Sequence, residues 1–482
     1  MKKNVSTLIL VVLLALAGLL LARTLIFSSK QIDAKTAEVI PLDNHVAETL
    51  SRAIKCQTVS YENKAPNGPE FRKLHEILRE AFPMAHQKLS VDTINQYSLL
   101  FTWKGRDKYK KPLLLLAHQD VVPAGDDWKE PPFSGKIVQD TIWGRGSLDD
   151  KVAVVSILQA VESLLKNNFV PERDILLAFG HDEEIGGSQG AEKIAEHLKS
   201  QGIEAEFVLD EGLMITQGMV PGIEKDVALI GIAEKGYLNV DITAVVDGGH
   251  SSMPKTYGAI DAVARAITKL NESPFTAHIT PPVDEFLDHI GPEMSFTYRV
   301  VFANRWLFDP MIIGIYEKTP AGNALVRTTM ATTIFDAGYK ANVVPRKASS
   351  TVNIRMLPGD DREQVLWQMH HSIDTTLVKL HAMEYEYASA SKVSSTKTFG
   401  YKAVATTVRE IFPESLTAPN LLIAGTDSKH YSGISPNIYR FLPVRINPAS
   451  VEQIHGKNER IAIQDLKNCV RFYRRLIQNT CK

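Results

Sequence analysis

Cysteine is scarce: Cys56, Cys469 and Cys481 are the whole complement. An odd, widely spaced set makes no disulfide framework, and the lack of any Cys-x-x-Cys argues against a thiolate zinc site. Cys469 and Cys481 could pair, but free or buried thiols are the expectation, and redox logic alone does not place the compartment. Charge of one sign is lacking too. The 54 lysines and arginines balance 55 aspartates and glutamates, for a formal net charge of -1. No global basic field exists, so no nucleic-acid partner is expected. Internal repeats and low-complexity tracts are absent. A hydrophobic share of 44% and a charged share of 23% exclude long disorder. With 482 residues, the chain exceeds what a single growing core accommodates, and two domains are expected.

One long hydrophobic run is present, at the N-terminus. Lys2 and Lys3 precede uncharged, mostly aliphatic residues 5–22, and Arg23 is followed by Thr24-Leu25-Ile26-Phe27. About 20 apolar residues span a bilayer, and the run reaches that length if Arg23 snorkels to the interface. The two lysines favour a single-pass anchor with a cytoplasmic N-terminus and an extracytoplasmic remainder. The rival is a cleaved signal peptide with Ala15-Leu16-Ala17 as its small-residue site. Its case is weaker, because the run continues through Leu19-Leu20-Leu21.

Beyond the anchor (residues 1–31), residues 32–58 read as a polar helical spacer. Residues 113–117, 175–179 and 207–209 read as buried strands, and 152–165 and 190–199 as helices, the second closed by Gly202. That alternation predicts an α/β fold, a mostly parallel sheet covered by helices. The pattern changes after Ala233. Strands are expected at 237–246, 326–335, 350–356 and 383–388, and helices at 262–270 and 362–381. This is a smaller α+β unit over 233–392, inserted between two parts (32–232 and 393–482) of the larger domain. Residues 273–322, with Trp306, Leu307 and Phe308, look like extra material inside it.

Four ionisable turns each follow an apolar strand or precede a helix, where open α/β sheets form their ligand crevice. They are His118-Gln119-Asp120, Gly144-Arg145-Gly146-Ser147-Leu148-Asp149-Asp150-Lys151, His181-Asp182-Glu183-Glu184 and Asp210-Glu211-Gly212. A fifth element carries His455 in a polar loop. Imidazole and carboxylate are zinc ligands, and a carboxylate can bridge two cations. Of two adjacent glutamates, one can ligate while the other acts as general base. Each turn alone has a plain alternative: a structural histidine, a helix-N-terminal aspartate, a solvated acidic run. Together they are hard to explain as packing.

His-x-Asp-x-Val-x-Pro, Gly-Arg-Gly-x-x-Asp-x-Lys, Asp-Glu-Glu-x-Gly-Gly and Asp-Glu-Gly, in this order, resemble the aminoacylase/carboxypeptidase S family of co-catalytic zinc metallopeptidases, peptidase family M20. The anchor and residues 304–310 resemble its carboxypeptidase S-like branch, which includes an N-fatty-acyl-amino-acid synthase/hydrolase of animals. The resemblance implies a zinc-exopeptidase-like catalytic domain with a lid or dimerisation domain. It also implies two Zn2+ per subunit, with Co2+ or Mn2+ as substitutes. Asp149 would bridge the two ions, with His118 and Glu211 at one and Glu184 and His455 at the other; Asp210 is an alternative to Glu211. Glu183 would be the general base and Asp120 would orient His118. His250, in Gly248-Gly249-His250-Ser251-Ser252, would reach the active site, often that of another subunit of a homodimer. Asn342, Arg355 and Gly425 would lie at the substrate. For His250 a plain polar loop, and for Arg355 a surface ion pair, are the alternatives.

The function expected is cleavage of amide bonds in small peptides, as by a carboxypeptidase or dipeptidase. The first alternative is an N-acyl-amino-acid amidohydrolase, reversible or not, for which the apolar residues around Trp306 could favour a long acyl chain. The second is an inactive, membrane-tethered binding ectodomain, which would be expected to have lost Glu183 or a ligand.

Overall fold

The leucines of residues 113–116 form a strand, Leu113–His118, buried at every position. Successive side chains on a strand point to opposite faces. Leu113, Leu115 and Ala117 therefore enter one core with helices Lys151–Lys166 and Ile463–Thr480, while Leu114 and Leu116 enter a second with helix Ala191–Ser200. A strand covered on both faces has no polar side to write, which is why the run is continuous. The structure, a computed structural model, describes residues 2–383 and 387–482.

Leu113–His118 lies near the centre of an eight-stranded sheet, with Ile175–Gly180 on one side and Phe207–Thr216 on the other, both parallel to it. Beyond Ile175–Gly180 lies the antiparallel hairpin Ser98–Trp103 and Ser90–Ile94. Beyond Phe207–Thr216 lie Ile438–Ile446, Val227–Glu234 and Leu416–Leu422. The α/β fold with a parallel sheet core is as the sequence predicts. So are the free thiols: Cys56, Cys469 and Cys481 are unpaired and buried.

A separate four-stranded antiparallel sheet runs in the order Thr329–Ala337, Lys347–Met356, Gly236–Val245, Lys379–Ala382. Helices Ala259–Glu272 and Arg362–Ser372 cover one face of it with a core of their own. Along Gly236–Val245 burial alternates residue by residue, as a one-faced sheet requires.

Three readings need correction. Residues 32–58 are no polar spacer: helix His45–Ile54 buries Val46, Leu50, Ala53 and Ile54, an apolar stripe at helical spacing that packs into the main core. The helix expected over 362–381 stops at Ser372, and Lys379–Ala382 is a strand. Residues 373–378 leave the helical pattern because the new strand gains a partner in Gly236–Val245, a contact invisible in local propensity. Residues 384–386 of the strand expected at 383–388 lie outside the described residues. Finally, the helices of 281–316 pack against the large sheet instead of the small one: Val283, Phe286, Leu287 and Ile312 share a core with Val227, Leu416 and Ala418.

The N-terminal helix Lys2–Ile26 contains one stretch, Val5–Ile26, long and apolar enough to cross a membrane.

Leu115 is fully buried between Leu177 and Leu209. Leu115→Ala should destabilise the large domain by about 2–5 kcal/mol, read as a lowered urea midpoint.

Candidate active site

Parallel strands deliver their C-terminal ends to one edge. His118 ends Leu113–His118, residues 181–184 follow Ile175–Gly180, and Glu211 lies within Phe207–Thr216 at the same edge. Asp149 arrives on the loop that starts helix Lys151–Lys166. This loop is tied down from behind: Lys151, 1% exposed, donates its ammonium to the carbonyls of Ala53 and Cys56.

The Asp149 carboxylate lies between two imidazoles. Its Oδ1 is 2.9 Å from His118 Nε2 and its Oδ2 is 3.0 Å from His455 Nε2. Glu211 Oε1 stands 3.5 Å from the same His118 nitrogen, and Glu184 Oε2 3.1 Å from the same His455 nitrogen. Two triads result, His118–Asp149–Glu211 and Asp149–Glu184–His455, each with ligand atoms within 4.8 Å of one another, and Glu183 makes a further group with His118 and Glu184. The choice between neighbouring acids is geometric. Asp210 accepts backbone N–H groups from Glu211 and Ser428 at 2.9 and 2.8 Å, so its oxygens are engaged, whereas Glu211 faces His118.

Asp120, fully buried, braces the opposite side. Its oxygens accept the Ser60 hydroxyl at 2.6 Å and the backbone N–H groups of Glu183 and Glu184 at 3.1 and 3.2 Å. Its Oδ1 is 3.3 Å from His118 Nδ1. One carboxylate thereby sets the ring of His118 and the turn bearing both glutamates.

Burial raises the carboxyl of Glu183 well above its ordinary range, reinforced by Asp427, Glu211 and Glu184. Burial and Asp149 push Glu211 up to about 7. Hydrogen bonds to Asp149 and Glu184 raise His455 to about 10. Against its burial, the bonds from His118 and His455 hold Asp149 below the carboxylate range. The cationic side chains nearby do not supply the balance: Arg145 is committed to Glu459 and Lys151 to carbonyls. Asp427, 4% exposed, has neither oxygen hydrogen-bonded among the described residues. Unbalanced buried carboxylates cost too much to remain ionised. The mixed imidazole–carboxylate donor set fits divalent cations such as zinc.

Glu459, fully buried, had no role assigned from sequence. Its Oε1 accepts backbone N–H groups from Gly146, Leu148 and Asp149 at 3.0, 2.7 and 3.2 Å, and its Oε2 meets Arg145 Nη1 at 2.6 Å. Arg145 also donates to the carbonyls of His455 and Gly456. The pair thus binds the Asp149 loop to the His455 loop, which lie some three hundred residues apart. The signal was present as an acid four residues after His455, but one acid in a polar loop does not announce burial.

Gly425 is exposed and opens the turn whose Asp427 and Ser428 reach the cluster. The remaining expected contacts have local partners of their own. His250, on the short strand Gly249–His250, pairs its Nδ1 with the Ser252 hydroxyl at 2.8 Å and is exposed. Asn342 is exposed beside that strand. Arg355 stacks on Tyr237, 4.6 Å from the ring centroid, and bonds to Asn353. Among the described residues, no hydrogen bond or ion pair joins any of these three to the cluster.

Residues 114–479 match the family model Peptidase family M20/M25/M40. The chain belongs to that family. It is an amide-bond hydrolase of the metallopeptidase class. It is similar to the probable carboxypeptidase S-like 2 of Dictyostelium discoideum, 39% identical over 98% of this chain and 93% of that one. It is also similar to the N-fatty-acyl-amino acid synthase/hydrolase PM20D1 of Mus musculus, 37% identical over 90% and 87%. Among solved structures, the M20 family metallo-carboxypeptidase Sso-CP2 of Sulfolobus solfataricus shares the fold, with a TM-score of 0.67 at 19% identity, covering 91% of this chain and 99% of that one.

Glu459→Ala should cost about 3–5 kcal/mol, because it strands the Arg145 cation in the interior, and should abolish turnover by freeing the Asp149 loop. Glu459→Gln should lose less stability. Thermal unfolding and hydrolysis assays of the two variants check both statements.

Proposed function

We propose that the protein hydrolyses the amide bond of small peptides bearing a free carboxylate, with two divalent cations, most naturally zinc, held around Asp149. The observation that carries this reading is the Asp149 carboxylate set between His118 and His455, flanked by Glu211 on one side and Glu184 on the other. In the proposed arrangement His118, Asp149 and Glu211 hold one cation, and Asp149, Glu184 and His455 the other; cobalt or manganese would substitute. Such ions supply Lewis acidity and lower the pKa of water toward neutrality. Glu183, grouped with His118 and Glu184, takes the proton of the attacking water and hands it to the leaving amine. Asp120 keeps the His118 ring and the Glu183–Glu184 turn in place.

His250, Asn342 and Arg355 would complete the site from a second copy or after closure of the small domain. The support is the edge strand Thr329–Ala337, which leaves Ile334 and Phe335 exposed; an open edge is a template for pairing with another chain. A homodimer joined there would bring in His250 to stabilise the oxyanion, with Asn342, Arg355 and the Gly425 loop at the substrate. The helix Lys2–Ile26 would span a membrane with Lys2 and Lys3 on the cytoplasmic side and the enzyme outside it.

A second reading, hydrolysis of N-acyl amino acids, is favoured by the similarity to the PM20D1 protein over nine-tenths of the chain. The same site chemistry serves both substrates.

Glu183→Gln should lower kcat by about 10²–10⁴-fold while metal content, measured by elemental analysis, is unchanged. Asp149→Asn should lose metal and activity together. A panel of dipeptides, N-acetyl and long-chain N-acyl amino acids then separates the two readings; bound metal with no turnover on any of them would favour an inactive binding ectodomain. Zinc added to chelator-treated protein near pH 7 should release protons, since hydrogen bonds to Asp149 and Glu184 push His455 up to about 10 and a ligating imidazole must be neutral. Apparent affinity should therefore fall as pH falls, measurable by indicator-dye titration.

A further inference from the structure

Helix Arg305–Tyr316 is built inside out for a surface helix. Ile312 faces the core. The opposite, outward face carries Trp306, Leu307, Met311 and Ile315, exposed at 55, 42, 46 and 55%, with Pro310 and Gly314 between them. At 100° per residue these positions occupy one side of the helix, and none is polar. A water-facing side would carry charged residues. The preceding helix Phe296–Ala303 also leaves Phe296 and Tyr298 exposed. Contiguous exposed apolar surface of this kind marks an interaction site.

The N-terminal helix identifies what covers it. Asn304, fully buried at the junction of the two helices, donates its side-chain amide to the Leu20 carbonyl at 3.2 Å and lies 3.4 Å from the Thr24 hydroxyl. Arg23 donates to the Ala303 carbonyl, and Arg299 to that of Phe27. Leu20 lies six residues inside the end of the apolar stretch Val5–Ile26. At 1.5 Å per residue that is about 9 Å, the depth to which interfacial helices sink, about 5–10 Å. The charges beside this face are paired with one another: Arg305 meets Asp288 at 2.9 Å and Asp284 beside it, and Lys30 meets Asp288 at 2.8 Å.

We infer that helices Phe296–Ala303 and Arg305–Tyr316 are a second membrane-contacting element, immersed by their apolar face in the outer leaflet beside the anchor. The occupant of this face is lipid. The inference rests on the reading of Lys2–Ile26 as a membrane span and is independent of the substrate. A hydrolase held this way has two points of attachment, which fix its tilt on the bilayer as a lone helix does not.

The test uses the full chain in phosphatidylcholine liposomes, with nitroxide labels placed singly by Trp306→Cys, Met311→Cys, Trp367→Cys and Leu10→Cys; the native cysteines are buried. Trp367, 63% exposed on helix Arg362–Ser372 of the small domain, is the water-facing control, and Leu10, in the apolar run, the lipid control. The expected result is an oxygen-to-nickel-chelate accessibility ratio several-fold higher at Trp306 and Met311 than at Trp367, approaching that of Leu10. A ratio at Trp306 and Met311 equal to that of Trp367, with Leu10 in lipid, would overturn the inference and leave the anchor standing. All four labels in water would remove both. Shielding from both reagents with dipolar broadening between copies would place a second protein chain on this face and also overturn it.

Discussion

Repulsion among carboxylates is the constraint on which the arrangement depends. Asp149, Glu183, Glu184, Glu211 and Asp427 converge at one sheet edge around His118 and His455, and the nearby basic side chains are engaged elsewhere. Such a cluster holds together only with added positive charge or added protons. Metal ions would supply the first. The upward-shifted carboxyls of Glu183 and Glu211 are the second, the response of the metal-free protein. The fold pre-assembles the donors at an energetic cost that binding relieves, so metal affinity and local stability are one quantity here.

The rigidity that makes this tolerable comes from carboxylates that are not ligand candidates. Asp120 and Glu459 are each spent on backbone amides and one cation or imidazole. Each fixes a loop carrying a ligand candidate, and Glu459 does so across the two sequence-distant parts of the large domain. A loop held by its own N–H groups moves less than one held by side-chain packing, and positioning within about 0.5 Å is what such sites demand.

Much of this was legible in order along the chain. The unbroken leucine run at 113–116 specifies a two-face-buried strand because no polar side chain can occupy either face. The histidine and acids that follow such strands point to a crevice because parallel strands end together. The misreadings share a cause. Helix His45–Ile54 looked like a polar spacer because its stripe is short. Lys379–Ala382 looked helical because its strand partner lies well over a hundred residues upstream. The insert was assigned to the small domain by sequence position, yet its core is shared with Leu416 and Ala418.

Sequence alone determined the fold class, the apolar N-terminal run and the chemical types gathered at the site, since these follow from local periodicity and from which residues directly follow buried strands. Tertiary structure decided that Glu211 and not Asp210 faces His118, that Glu459 secures the Asp149 loop, that His250 pairs with Ser252 and has no hydrogen bond or ion pair to the cluster among the described residues, and that residues 281–316 lie beside the N-terminal helix. Those outcomes depend on side-chain direction and on contacts between segments tens to hundreds of residues apart, which no local pattern encodes.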